Sequence, residues 1–294
     1  MTEVTTDVRE FKALVESGNL SLNRAARSMG ISTAALSTFL NGKYTGNTDT
    51  IAKKIQDYMQ ISKERASIAT NEDLFTETTN SRLAYNLCRR IHQNKRIGVL
   101  IGRAGLGKTT ALMRYADEFS DVIYIEVDSS FSPRELVKAL NSRLNNNVIG
   151  TINDIKNQLI AKLKDTGRLL IIDQAEYLSE KALDILRTIH DRTRCPIVLA
   201  GLPQLFQNLK GVGGVNEQIF TRISMLVELK KLSDDDIRNM VHLHIPGING
   251  EYKYFAKRCA GNARALNLLI ENVRIMGGEI TEETVNGAAS IMVI

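Results

Sequence analysis

The chain has 294 residues, 38 of them Lys or Arg against 33 Asp or Glu, for a formal net charge of +5, and 43% are hydrophobic. That length has room for two or three domains with an ordinary globular core, and the mild basic excess is compatible with a polyanionic partner. Cys88, Cys195 and Cys259 are too scattered for a disulfide framework or a metal site, Met1 to Glu10 is too polar for a signal peptide, and no apolar run is long enough to span a bilayer; the expectation is a cytoplasmic protein with no membrane partner.

Val8, Phe11, Leu14 and Val15 fall at helical spacing within residues 8–17. A second helix is predicted over 21–29, stopped by Gly30, and a third over 32–40, capped by Ser32 and ended by Asn41-Gly42. Ile51, Ile55, Tyr58 and Met59 mark a fourth. The small Ala26, the turn at Gly30 and the capped helix just after it predict a helix-turn-helix domain over residues 1–66. This stretch resembles repressor-type DNA-binding domains, most closely in Gly30-Ile31-Ser32 and Leu36 to Lys43; a small helical protein-interaction domain is the alternative. The exposed positions of the third helix, Thr33, Ala34, Ser37 and Thr38, are short, with no early Arg, Gln or Asn for bidentate base contacts. Arg24, Arg27, Lys43, Lys53 and Lys54 are instead suited to phosphates, so weak or absent sequence preference is expected.

Residues 71–80 are polar and read as a linker, with Thr79 or Asn80 capping a helix that carries Leu83, Leu87 and Ile91. Next comes the most specific signal in the chain. The apolar run Ile97 to Ile101 leads into Gly102-Arg103-Ala104-Gly105-Leu106-Gly107-Lys108-Thr109, followed by the helix-compatible Thr110 to Ala116. Strand, G-x(4)-G-K-T loop and helix form the order of a P-loop, whose backbone N–H groups curl round a polyphosphate. Lys108 is expected on the β- and γ-phosphates and Thr109 on Mg²⁺, so the cofactors are ATP and Mg²⁺.

Val122 to Val127 reads as a buried parallel strand, and Ser132-Pro133-Arg134-Glu135 as a capping box with proline in the first turn. A further helix is expected over 152–164. Leu169 to Asp173 is four aliphatics and an acid, a Walker-B strand whose Asp173 faces Thr109 across the Mg²⁺ site. Gln174 follows. A glutamine hydrogen-bonds water but cannot take its proton, which slows hydrolysis by about 10²–10⁴-fold unless another base serves. Glu176 is either that replacement or a solvated acid at a helix start. Beyond the helix capped by Ser179 and the strand Pro196 to Gly201, residues 210–216 form a glycine loop, and Thr221-Arg222-Ile223 leads into a strand over 225–229. The α/β core is expected over 67–230.

Ser233-Asp234-Asp235-Asp236 opens a helical segment over 231–294, in which 252–259 and the run after Gly261 are helices and a short one follows Thr281. His242 and His244 have no metal-like company.

The order of parts, with the linker Phe75 to Thr79, the P-loop and Leu169 to Leu178, resembles the Mu B-like transposition proteins, AAA+ ATPases that activate target DNA. The resemblance implies an AAA+ core, a parallel sheet sandwiched by helices, with a small C-terminal helical lid. It implies that Arg222 is an arginine finger, worth roughly 10³–10⁵ in rate, reaching a neighbouring subunit, and that Arg264, in Gly-Asn-x-Arg-Ala-Leu, is a lid arginine on the γ-phosphate. A surface arginine paired locally is the other reading of Arg222. The polar sensor of such cores is absent at Leu202, leaving Gln204. The resemblance further implies nonspecific duplex-DNA binding by ATP-bound helical filaments of the chain itself, delivery of target to a cognate transposase, stimulated strand transfer and target immunity. Arg143, Lys156, Lys162, Lys164 and Lys210 are then candidate phosphate contacts. An ATP-switched transcriptional regulator and a secretion or assembly ATPase are the alternative classes.

Overall fold

A computed structural model describes residues 2–17, 20–72, 75–145, 149–211 and 216–293, with the side chains of 2–5, 24 and 63–72 left aside. The expected phosphate contact Arg24 therefore lies outside the described side chains, and the Gly213-Gly214 loop outside the described residues. The chain forms two compact units, 1–75 and 76–294. The border expected at 66/67 falls inside a helix.

The described residues of the first unit form four helices, α1 (Thr2–Glu16), α2 (Leu22–Ser28), α3 (Thr33–Leu40) and α4 (Thr48–Glu72). Phe11, Ala25, Ala26, Leu36, Ile51, Ile55 and Met59 form its core. The small pair Ala25-Ala26 leaves room for this packing, and Phe11 meets Tyr58 edge-on, ring centres 5.9 Å apart. Gly30 turns the chain at φ 64°, and the Ser32 hydroxyl accepts from the Ala35 N–H to start α3. Thr38 Oγ1 donates back to Ala34 and Ala35 carbonyls, whereas Arg27 and Lys43 are exposed. Lys54 is no free phosphate contact: its Nζ donates to the Met29 carbonyl beyond the end of α2 at 3.1 Å.

In the second unit five parallel strands lie in the order β2-β3-β4-β1-β5, with β1 Ile97–Ile101, β2 Val122–Glu126, β3 Leu169–Asp173, β4 Ile197–Gly201 and β5 Ile223–Glu228. From β1 the chain passes over β4 and β3 to reach β2, so a crevice opens at the carboxyl end of β1, where ligands of such sheets sit. Helices α5 (Thr79–Asn94) and α6 (Lys108–Glu118) cover one face. The other carries α7 (Pro133–Arg143), α8 (Ile152–Leu163), α9 (Glu180–Thr193), α10 (Gln204–Lys210) and α11 (Glu217–Phe220). Residues of β1, β3 and β4 alternate between the two cores, which is why these strands read as unbroken apolar runs. β2, expected to be buried throughout, is an edge strand, and its Glu126 is exposed. Gly98 allows α5 to lie on β1, since a Cβ there would sit 2.5 Å from Ile91 Cγ1. Helices α10 and α11 were not expected; Leu205, Leu209 and Ile219 tie them to the core.

Thr78, not Thr79 or Asn80, caps α5, in a reciprocal pair with Ser81. Leu83 faces solvent, and Ala84, Leu87, Cys88 and Ile91 form the buried stripe. The segment read as a linker is thus anchored from Thr78 onward. Asn80 Nδ2 donates to Lys230 O at 2.7 Å and Leu106 O at 3.3 Å, and the Thr79 N–H donates to Asp236 Oδ1 at 2.7 Å. The cysteines are free and buried, and burial pushes the Cys88 and Cys195 thiols up to about 12.

Helices α12 (Asp234–His244), α13 (Tyr252–Cys259), α14 (Ala263–Met276) and α15 (Glu282–Ser290) gather round a third core that includes Ile237, Phe255, Leu266 and Val285. Asp236 closes the capping box of α12 with Ser233 while accepting from Thr79. Burial works against its charge, yet the hydrogen bonds from Thr79 and Ser233 outweigh it and hold the carboxyl below the usual carboxylate range. A depressed folded-state pKa stabilises the fold above the unfolded value, about 3.9, and that contribution is lost as pH falls through the folded value. Asp236→Ala is therefore expected to cost about 1–3 kcal/mol in urea unfolding at neutral pH, with the gap to the parent closing below about pH 4. A gap unchanged at acid pH would count against the charge.

Candidate functional site

At the carboxyl end of β1 the chain turns through Gly105 (φ 77°) and Gly107 (φ 85°) into α6. Together with the ends of β3 and β4 and the start of α14, this loop encloses a cleft of about 460 Å³. Ala104, Gly105, Gly107, Lys108, Thr109 and Thr110 line it, as do Asp173, Gln174, Glu176 and Arg264. Three loop residues expected on the nucleotide do not. Gly102 is buried against Leu229, Leu106 turns into the core beside Leu100 and Leu112, and Arg103 is exposed.

Lys108 Nζ donates to the carbonyls of Gly102 at 2.6 Å and Arg103 at 3.0 Å. Burial lowers its pKa; Asp173 and Glu176 oppose that, and Arg264 adds to it. An ammonium satisfied only by carbonyls and partly desolvated is a group that gains from an anion. Asp173, 1% exposed, collects donors from three elements: Thr109 Oγ1 at 2.6 Å and Tyr124 Oη at 3.1 Å on Oδ2, and the Gln174 N–H at 2.9 Å on Oδ1. Burial, then Asp173, raises the Tyr124 phenol far above its usual range, so it serves as a donor. A hydroxyl and a carboxylate in contact at the mouth of a phosphate loop are the oxygen set Mg²⁺ takes. The loop glycines, the lysine and this pair fit a Mg²⁺-nucleoside triphosphate.

Glu176 sits in a short 3₁₀ turn, Ala175–Tyr177, and its Oε2 accepts from the Leu202 N–H at 3.1 Å. The carboxylate lies over Gly201, where any Cβ would come within 2.0 Å of Oε2. Glu176 is half-buried, lines the cleft and is hydrogen-bonded, which does not match a solvated acid at a helix start. Gln204 does not line the cleft, and its amide donates to Asn208 in α10. Arg222 also lies outside the cleft, ion-paired with Asp191 at 2.5 Å and donating to the Gln218 carbonyl, which is the local pairing weighed against a finger.

Tyr124 and Asn262 were among the contributors missed from sequence. Tyr124 is hidden in an apolar strand. Asn262, the cap of α14, donates through Nδ2 to Ala104 O at 3.1 Å, while the N–H groups of Ala263 and Arg264 donate to Gly105 O at 2.8 and 3.2 Å. A larger groove, about 810 Å³, lies at the starts of α7, α8 and α9. It contains Lys156 but mixes Arg134 and Arg187 with Glu180 and Asp184, and has no phosphate loop. Arg143, Lys162 and Lys164 are exposed on or just beyond α7 and α8, and Lys210 lies 4.6 Å from the centre of the Phe206 ring.

A Cβ at Gly105 would meet Asn262 Oδ1 at 2.2 Å, at a φ that L side chains disfavour. Gly105→Ala is accordingly expected to weaken ATP binding by roughly tenfold or more, a strain of about 1–3 kcal/mol. Titration with a fluorescent ATP analogue, with a melting curve to verify folding, checks this; parent-like affinity would mean that the loop and α14 separate freely.

Comparison with known proteins agrees with this geometry. Residues 89–209 match the family model described as an AAA domain. The chain is 26% identical over 276 residues, 92% of its own length and 88% of the relative's, to the ATP-dependent target DNA activator B of Escherichia phage Mu. It is 26% identical over 208 residues, 70% of its length and 72% of the relative's, to the Mu-like prophage FluMu DNA transposition protein B of Haemophilus influenzae. Among solved structures, the Aeropyrum pernix ORC2 protein in its ADP form superposes with a TM-score of 0.57 at 15% identity, covering 75% of this chain and 71% of that one. The chain thus has an AAA+ P-loop NTPase fold, and the family it resembles over nearly its whole length is that of the Mu-type B transposition proteins.

Proposed function

We propose that the chain is an ATP-dependent, sequence-nonspecific DNA-binding ATPase of the cytoplasm of a bacterial or phage-infected cell. In this reading it assembles on target DNA as a helical filament, delivers that DNA to a cognate transposase, stimulates strand transfer and takes part in target immunity. The observation that carries the reading is the extent of the similarity to a protein named as an ATP-dependent target DNA activator: it runs through both units, 92% of the chain, and includes the phosphate loop.

The residues divide the work in physical terms. The loop N–H groups and Lys108 hold phosphates, and Thr109 and Asp173 hold Mg²⁺, which when bound neutralises charge on the transferring phosphoryl group. Glu176 and Gln174 face the same cleft, and Gln174, lacking a carboxylate, favours slow turnover. Arg264 enters from α14, so the C-terminal helices act as a lid whose position depends on what fills the cleft. Arg222 serves a neighbouring subunit once its pair with Asp191 opens. The short side chains Thr33 and Thr38, the latter bonded to its own helix, suit backbone contact better than base reading. Arg24, Arg27 and Lys43 in the first domain, and Arg143, Lys156, Lys162, Lys164 and Lys210 in the core, supply positive charge for phosphates.

Random-sequence duplex is expected to bind with MgATP and to be released with ADP, with affinity falling linearly in log–log against salt. Electron microscopy of the same mixture is expected to reveal filaments, absent for Lys108→Ala. Equal affinity in every nucleotide state would overturn the reading, and a defined footprint on one sequence would favour a transcriptional regulator.

A further inference from the structure

The basic excess of the chain is not spread along it. Residues 79–96 hold five Arg or Lys and no Asp or Glu, which leaves 33 basic and 33 acidic residues in the rest. The whole formal charge of +5 therefore sits on α5 and the two residues that follow it. Ala84, Leu87, Cys88 and Ile91 form the buried stripe of this helix. On the opposite side Arg82, Asn86, Arg89 and Gln93 recur at helical spacing, all exposed, with Arg90 beside them. Lys95 and Arg96 carry the exposed charge past the end of the helix.

The acids that bond to α5 from α6 and the turn after it are taken up by other groups. Glu118 accepts from Tyr85 Oη at 2.8 Å, and Asp121 lies 3.4 Å from His92 Nε2. Among the described residues, none of Arg82, Arg89, Arg90, Lys95 and Arg96 forms an ion pair, whereas Arg187, Arg222 and Arg238 elsewhere in the second unit are all paired. Like charges on one helix face repel, and the packing of α5 needs none of them, since its core contacts come from the opposite stripe. Such a face gains from a polyanion.

We propose that the exposed face of α5 is a binding surface for the phosphate backbone of duplex DNA. The inference rests on the DNA-binding reading above and adds to it a helix outside the basic residues considered there. Arg82 to Gln93 covers about 17 Å at 1.5 Å per residue, a length along which a duplex presents about ten phosphate charges. Each guanidinium can hold phosphate oxygens through two parallel hydrogen bonds, and the Asn86 and Gln93 amides add uncharged donors. The face is also fixed to the wall of the nucleotide cleft, because Asn80 Nδ2, in the first turn of α5, donates to the Leu106 carbonyl of the phosphate loop at 3.3 Å.

The test compares the full chain with Arg82→Gln/Arg89→Gln/Arg90→Gln and with Lys181→Gln/Lys253→Gln/Arg274→Gln, which removes the same charge from exposed positions elsewhere in the second unit. The three α5 arginines are exposed, so their replacement leaves the buried stripe intact. A melting curve and titration with a fluorescent ATP analogue are expected to match the parent. Binding of random-sequence duplex with MgATP is followed by fluorescence anisotropy over a range of salt. The α5 triple is expected to lose about 10–100-fold in affinity at fixed salt. Its slope of log K against log salt should be shallower by about 2–3, since each lost phosphate contact removes about 0.9. Arg89→Gln alone should flatten it by about 1, and Arg82→Lys/Arg89→Lys/Arg90→Lys, which keeps the charge, should retain the parent slope. If the parent binds and the α5 triple is no weaker or shallower than the control triple, the role of α5 alone fails. An equal loss in the lysine and glutamine triples would overturn it too, because charge would then not be what DNA meets. If the parent itself does not bind random duplex, the DNA-binding reading fails, and this inference with it.

Discussion

A carboxylate taken almost wholly out of water is costly unless every lone pair finds a donor, and Asp173 is 1% exposed at the end of the central β3. Its donors come from α6 through Thr109, from β2 through Tyr124, and from the chain immediately after β3 through the Gln174 N–H. One side chain therefore ties the phosphate-loop helix, the edge strand and the Walker-B strand to one another. The open end of the sheet cannot spread without leaving a buried charge unpaired.

The second constraint is the closeness of the phosphate loop to α14. Gly105 has no side chain because Asn262 occupies the space, and its carbonyl accepts from two N–H groups at the start of α14. On the far side, Asn80 bonds to the Leu106 and Lys230 carbonyls, and Thr79 to Asp236. The loop is thus gripped between the segment entering the second unit and the helices ending it. In the cleft itself, polar work is shared among strands: Glu176 comes from the turn after β3 and is fixed by an N–H beyond β4, while Gln174 is bonded to Glu126 on β2.

Much of this was legible along the chain. Gly102 to Thr109 declares its chemistry because a phosphate loop is built from consecutive residues. Leu169 to Asp173 declares its place because a strand buried on both faces must be apolar until it reaches the site. Arg264 and Asn262 lie in one short motif, yet only the arginine was singled out, since the role of Asn262 depends on a loop 158 positions away. Tyr124, Glu126 and the Leu202 N–H carry no local signal: each matters through a partner on a neighbouring strand or turn. The segment read as a linker spans the border between the two units at 75/76, but from Thr78 onward it is tied down: Thr78 and Asn80 are buried, and Thr79 and Asn80 bond to α12, to the chain just after β5 and to the phosphate loop.

The sequence by itself determined the parallel α/β core, the glycine loop Gly102 to Thr109 with its lysine, the aspartate that ends β3, the caps at Ser32, Ser132, Ser179 and Ser233, and the four-helix N-terminal segment. These follow from local periodicity, capping and contiguous motifs. Tertiary structure alone decided that β2 is an edge, that Leu106 turns inward, that Arg222 is locked to Asp191, that Glu176 enters the cleft and that Gln174 is paired with Glu126. The physical reason is distance along the chain. A hydrogen bond between neighbouring strands joins residues whose separation in sequence, 48 positions for Glu126 and Gln174, leaves no periodic trace.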